Sequence, residues 1–240
     1  MKKILIIIFV LSNFSIIAQT SRQYVGISVG PSFPLGDFSK SDLSDSTSGF
    51  AKTGINLKVI YSYKLSHNFG LQLHFVFNAN NIDNEALKNE AAASKSDYSF
   101  SVESNRPWNS GGIYLSPFLR LPISERFTWE IKGNIGLSSA HSPQFIVRGT
   151  NTESSEKTEY FREVAKAFGL GFGTGTSFMY KLNKYVLTLD LDYYYSNIHF
   201  KEITGWGWTS EDNPSGTPYN YAADRKISSA AISIGLAYFL

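Results

Sequence analysis

The sequence predicts an all-β protein: a transmembrane, up-and-down antiparallel β-barrel of eight strands, with short periplasmic turns and long extracellular loops. Three observations lead there. Eight segments alternate apolar and polar residues with period two, and their connections alternate between short and long. An export-type N-terminus precedes a chain in which no later apolar stretch is long enough to cross a bilayer as a helix.

The chain opens MKKILIIIFVLSNFSIIAQT, with Lys2 and Lys3 ahead of an apolar run from Ile4 to Val10 that weakens toward Ala18. This is the layout of a secretory signal peptide, so residues 1–18 are expected to be cleaved, leaving a barrel domain over residues 19–240. Taking Lys2 and Lys3 from the 22 basic residues leaves 20, against 20 acidic ones. A neutral chain without a basic cluster excludes a nucleic-acid partner. The absence of cysteine excludes disulfides, thiolate metal sites and cysteine nucleophiles. What remains is rich in Tyr, Phe and Gly, the composition of an outer-membrane barrel whose alternating strands give only a weak hydropathy signal.

In chain order the strands are expected at 22–31, 53–64, 69–79, 111–121, 127–137, 167–181, 184–196 and 226–240. Each reaches or exceeds the length, about nine to eleven residues, that a tilted strand needs to cross the hydrocarbon. Short turns fall at 65–68, 122–126 and 182–183, and long polar loops at about 32–52, 80–110, 138–166 and 197–225. This interleaving puts the turns and both termini on the periplasmic side and the loops outside. Within the second loop, 83-DNEALKNEAAASK-95 has the composition of a short helix.

The strands sort their charges by parity. In 184-KYVLTLDLDYYYSN-197, Leu187, Leu189, Leu191 and Tyr193 share one face, while Thr188, Asp190, Asp192 and Tyr194 share the other. Ile55, Leu57 and Val59 likewise oppose Asn56 and Lys58; Leu71, Leu73 and Phe75 oppose Gln72 and His74; Leu115 and Leu119 oppose Ser116 and Arg120; Trp129 and Ile131 oppose Glu130 and Lys132. A Lys or Arg on the lipid face near the midplane costs roughly 2–4 kcal/mol, so the register is strongly determined. The polar faces therefore line the interior, where Lys58, Arg120 and Lys132 meet Glu130, Asp190 and Asp192 beside His74. An eight-stranded barrel is about wide enough to be filled by side chains, so these groups are expected to pair and to plug the barrel. Gly169, Gly171, Gly173 and Gly175 make one inward row nearly bare, leaving room for Lys132, Tyr194 and Arg120 or permitting sharp coiling of the strand. Tyr61, Tyr63, Phe127, Trp129, Tyr180, Tyr185 and Tyr238 near the short turns form an interfacial aromatic girdle.

The segments 29-VGPSFPLGDF-38, 49-GFAKTGINLKVIYSYKLSHNFGLQL-73 and 232-ISIGLAYFL-240 resemble the Bacteroidota outer-membrane β-barrels labelled PorT-like, of OmpA/OmpX-like architecture. The resemblance implies an outer-membrane location, contact with outer-membrane lipid and delivery by the barrel-insertion machinery, which reads a C-terminal aromatic strand. Here that strand closes on Leu240 after Phe239, where such strands commonly end in an aromatic. The founding member's association with type IX secretion implies an accessory role in an outer-membrane assembly, with outer-membrane or periplasmic protein partners.

No catalytic site is expected. His67 sits in a turn and His74 in the interior; His141, beside Ser142, and His199 lie near the extracellular rim, with Glu153, Glu202 and Asp192 as candidate orienting carboxylates for a rim hydrolase. No spacing ties these groups together. The run 171-GFGTG-175 lies within a strand rather than before a helix, and no metal-ligand spacing is present, so neither cofactor nor metal is expected. The fourth loop, 203-ITGWGWTSEDNPSGTPYNY-221, collects Trp206, Trp208, Tyr219 and Tyr221. Together these aromatics would serve a surface receptor or adhesin for a glycan or a protein, unless they pack on one another along a hairpin that extends the barrel.

Overall fold

The computed structural model describes residues 22–210 and 213–240; the expected signal peptide, residues 1–18, lies outside them. Eleven strands are present among the described residues: β1 (Gln23–Pro34), β2 (Gly54–Lys64), β3 (Phe69–Asn80), β4 (Tyr98–Arg106), β5 (Trp108–Pro122), β6 (Phe127–His141), β7 (Gln144–Asn151), β8 (Lys157–Arg162), β9 (Lys166–Leu182), β10 (Tyr185–Thr209) and β11 (Asn213–Phe239). Eight of them, β1-β2-β3-β5-β6-β9-β10-β11, form an antiparallel ring that closes where β11 pairs with both β10 and β1. Closure leaves no free edge within the ring. These eight are the strands that the alternation locates.

The short turns repeat one local solution. In 65-LSHNF-69 the amides of Leu65 and Ser66 both donate to the Phe69 carbonyl, at 2.9 Å each, and the Ser66 hydroxyl accepts from the Phe69 amide at 3.2 Å. In 123-ISERF-127, Ile123, Ser124 and Phe127 make the same three bonds. The third turn places Asn183 at φ 57°, a left-handed conformation that Asn tolerates.

Parity divides the ring into two surfaces. Ile27, Leu57, Val59, Phe75, Leu115, Ile135, Leu189 and Ile234 point outward and form the lipid-facing belt. Ser28, Asn56, Lys58, Gln72, His74, Ser116, Glu130, Lys132, Asp190 and Asp192 point inward and are buried. Near the short turns the aromatic rings pair on the outer surface, Tyr185 with Tyr238 at 5.4 Å and Trp129 with Phe178 at 6.4 Å between centroids.

The loops are more ordered than their composition suggests. Strands β4, β7 and β8 arise within the second and third loops, and β10 and β11 run 25 and 27 residues. At about 3.3 Å per residue these two strands far exceed the roughly 30 Å of hydrocarbon, so their upper parts stand above the membrane. There β8 pairs with the upper part of β10, building an extracellular sheet in the order β4-β7-β8-β10-β11. The apolar alternation of Tyr98, Phe100 and Val102 in β4 is too short to stand out from a polar loop. Helix α1 (Asn84–Ser94) precedes β4 and is capped at its start by Asp83, whose carboxylate accepts from the Ala86 amide at 3.0 Å.

Candidate functional site

Seven inward residues singled out from the sequence occupy two connected groups. In the first, Lys58 Nζ lies 3.2 Å from Asp190 Oδ2 and 2.5 Å from Asp192 Oδ2, and Lys132 Nζ lies 3.8 Å from Asp190 Oδ1 and 3.2 Å from Asp192 Oδ1. Each lysine thus bridges both aspartates. Ser177 receives a hydrogen bond from Lys132 Nζ at 3.0 Å and donates its own to Asp190. In the second group, Arg120 donates from Nε and Nη2 to Glu130 Oε2 at 3.1 and 2.6 Å. Glu130 also accepts from Gln72 Nε2 at 2.5 Å, and Gln72 Oε1 accepts from the His74 ring at 2.6 Å. Amide oxygen only accepts, so His74 carries its proton on Nε2.

Three cations against three anions leave the interior formally neutral. That balance is required physically: an unpaired charge in the interior is strongly unfavourable, and removing one member of a buried pair typically costs about 3–5 kcal/mol.

The glycine row of β9 provides the space. A Cβ on Gly175 would overlap Asp192 Oδ1 and approach Lys132 Cε to 2.8 Å; one on Gly171 would lie 2.7 Å from the Tyr114 ring, and one on Gly173 would lie 3.3 Å from the Tyr194 ring. Lys132 and Tyr194 use this space, together with Tyr114 and Asp192. Arg120 does not. Its guanidinium sits lower in the barrel, 4.7 Å from the Phe118 ring centroid and 5.3 Å from that of Tyr24, because its partner Glu130 lies one inward step below Lys132.

Apolar layers bound the polar interior at both ends. Below lie Tyr24, Ile60, Met179, Val186 and Ala237. Above lie Phe38, Trp108, Ile198, Phe200 and Ile203, with the Trp108 ring 5.5 Å from Phe38 and its Nε1 donating to the Gly49 carbonyl at 2.8 Å. Trp108 starts β5 at the edge of a polar loop, and the sequence alone does not single it out.

The aromatics of the fourth loop do lie on a hairpin, but on its two opposite faces. Tyr219 is opposite Gly205 and Tyr221 opposite Ile203, so both tyrosines share the face of odd-numbered β10 residues. Trp206 and Trp208 occupy the other face, where Trp206 meets Phe161 at 6.0 Å. Tyr219 instead stacks on Tyr160 at 4.9 Å and lies 5.9 Å from Tyr221. Burial pushes the hydroxyls of Tyr160 and Tyr219 above the ordinary tyrosine value. The expected mutual packing of the tryptophans with the tyrosines is thereby corrected, and the cause is a β-bulge between Phe200 and Ile203 in β10. Below the bulge, even-numbered residues of β10 face inward; above it, odd-numbered ones do.

At the rim, His199 Nδ1 lies 2.8 Å from Asp224 Oδ1, and both side chains are exposed. Its carboxylate partner is therefore Asp224 rather than Glu153, Glu202 or Asp192. Ser142 is buried and accepts from the Ala165 amide through its hydroxyl at 2.9 Å, a structural role that ties the third loop to the barrel.

A family model described as an outer membrane protein β-barrel domain matches residues 17–200. Among solved structures, Neisserial surface protein A is 11% identical over 93% of this chain and 100% of its own, with a TM-score of 0.44. The attachment invasion locus protein Ail of Yersinia pestis is 14% identical over 90% of this chain and 99% of its own, with a TM-score of 0.44. The outer membrane protein OprG of Pseudomonas aeruginosa is 13% identical over 93% and 99%, with a TM-score of 0.42. No curated protein matches in sequence.

Replacing Gly175 with Val inserts side-chain volume between Lys132 and Asp192 and should destabilise the barrel by about 1–3 kcal/mol, as overpacking does. Gly133→Val, at a position with no atom within 4 Å of a Cβ, should leave stability near that of the wild type. Equilibrium urea unfolding in lipid vesicles measures both.

Proposed function

Because this chain belongs to the family of outer membrane protein β-barrel domains, we propose that it is a closed, non-enzymatic barrel whose working surface is its extracellular sheet and loops. The chain resides in the outer membrane. The observation that carries the proposal is the filled interior: a neutral lysine–aspartate quartet and an Arg120–Glu130 pair, bounded above by the Trp108 layer and below by the Tyr24 layer. Water and ions have no ready path through such a stack without breaking buried ion pairs. The part of the chain above the membrane is large by comparison, and its hydrogen-bonded sheet suits a surface that meets a partner.

The version of this role supported by the resemblance to PorT-like barrels is an accessory to an outer-membrane assembly such as type IX secretion. A second reading, a surface receptor, is favoured by one observation: Trp206, Trp208 and Phe161 share the outward face of the extracellular sheet, where aromatic anchors suit a glycan or a protein.

Reconstituted in a planar bilayer, the protein should show no steady conductance above the lipid baseline; stable open-channel steps would refute closure. Deletion of the gene in the native organism should leave secreted cargo in the periplasm if the export version holds. An unchanged set of released proteins would remove that version and leave the receptor.

A further inference from the structure

Above the Trp108 layer lies a partly open cavity of about 480 Å³, lined by the first loop, helix α1 and the inward face of the extracellular sheet. That volume is in the range of small-molecule sites. Much of its lining is apolar: Phe50, Ile82, Leu87, Phe145 and Val147. Phe50 holds a left-handed backbone conformation at φ 51°, fixed by hydrogen bonds from its amide to the Lys40 carbonyl and from the Asp83 amide to its own carbonyl. A bulky residue at such a φ is a strained feature of the kind that clusters at ligand sites.

Two arginines reach into this apolar space, Arg162 and Arg225, only 8% and 6% exposed. Among the described residues, no carboxylate forms an ion pair with either. Arg225 fastens the first loop through Nη1, which donates to the carbonyls of Ser46 and Ser48, while its Nε has no hydrogen-bond partner. Burial, with the like charge of Arg162 second, holds its guanidinium below the ordinary arginine value. Arg162 lies over the Phe145 ring at 5.6 Å, and neither its Nε nor its Nη2 has a partner; both atoms are buried, so a ligand meets them only when the side chain turns toward the cavity.

Those two atoms form the side-on edge of the guanidinium, whose parallel N–H groups match the two oxygens of a carboxylate. Arg120 presents the same edge to Glu130 inside the barrel. The acids at the cavity rim do not satisfy it: Asp42 and Asp45 are held by Lys40 at 3.4 and 2.6 Å, and by hydrogen bonds from Ser44 and Thr47. The cavity therefore keeps a net positive charge in apolar surroundings.

We propose that this cavity binds a small amphiphile bearing one carboxylate, taken side-on by Arg162 once its guanidinium turns from Phe145 into the cavity, with its apolar body against Phe50, Leu87, Phe145 and Val147. Arg225 supplies a second positive charge and holds the first loop in place as a wall. A ligand rich in further polar groups would leave them unpaired against that wall, so the site selects for one charge and an apolar remainder. The proposal is independent of barrel closure, since binding and conductance are read separately.

The test is calorimetric titration of the whole barrel in phosphatidylcholine nanodiscs, with protein-free nanodiscs as the blank. The probes are 1-naphthylacetate, decanoate, the neutral 1-naphthylethanol and inorganic phosphate. Wild type should bind one or both carboxylates at least about ten-fold more tightly than the alcohol, and Arg162→Gln should lose roughly ten- to a hundred-fold, the range for charge-assisted hydrogen bonds. Arg162→Lys, which keeps the charge but not the edge, should also weaken binding, and Val147→Trp, which fills the cavity but leaves Arg162 intact, should abolish it. Retained affinity in Arg162→Gln, phosphate binding as tightly as the carboxylates, or no binding of either carboxylate would each overturn the proposal.

Discussion

Lys58, Lys132, Asp190 and Asp192 meet at the middle of a ring too narrow to leave water around them, and the rest of the barrel is arranged around that meeting. Charges in such an interior are tolerated only when each finds an opposite at short range. The quartet achieves this with four side chains from three strands, and it places demands on a fourth. Strand β9 must give up its side chains where Asp192 and Lys132 cross, which is why Gly175 stands there. Alternation does the rest: once Asp190 and Asp192 face inward, Leu189 and Leu191 face lipid, and the same parity propagates around the ring through the hydrogen-bonded register.

The extracellular half follows from two strands that do not stop at the membrane. Strand β10 continues upward with a bulge after Phe200, and the bulge turns Ile203 and Gly205 inward while releasing Trp206 and Trp208 to the outer face. Against this edge β8, β7 and β4 add in turn, tied on the outer face by Arg148 between Glu159 and Glu103, at 2.6 and 3.0 Å. Tyr160 and Arg162 thereby project over the barrel mouth, where the first loop, fastened by Arg225, faces them. One inserted residue in β10 thus decides which aromatics lie on the cavity side of the sheet and which on its outer face.

Much of the barrel is legible in the residues because lipid enforces the alternation so strictly that a charge such as Lys58 or Glu130 reports its own direction. The same physics is silent above the membrane. The outer face there meets water and the inner face packs over only a few residues, so β4, β7 and β8 carry little periodicity, and Arg162 within 157-KTEYFR-162 reads as one more loop charge. The split between Trp206 and Tyr219 depends on the bulge, which shifts register by one residue and leaves no signature in composition. Trp108 escapes notice for a different reason: what marks it is its packing against Phe38, which is set by closure of the ring.

The most direct test of the central claim is a double-mutant cycle on Lys132→Met and Asp192→Leu, followed by urea unfolding in lipid vesicles. If the quartet organises the interior, each single change costs about 3–5 kcal/mol and the double change costs less than their sum by more than about 1 kcal/mol, since neither leaves the other's charge stranded. Strictly additive losses would mean that the two groups do not depend on each other, and that the interior is held by packing alone.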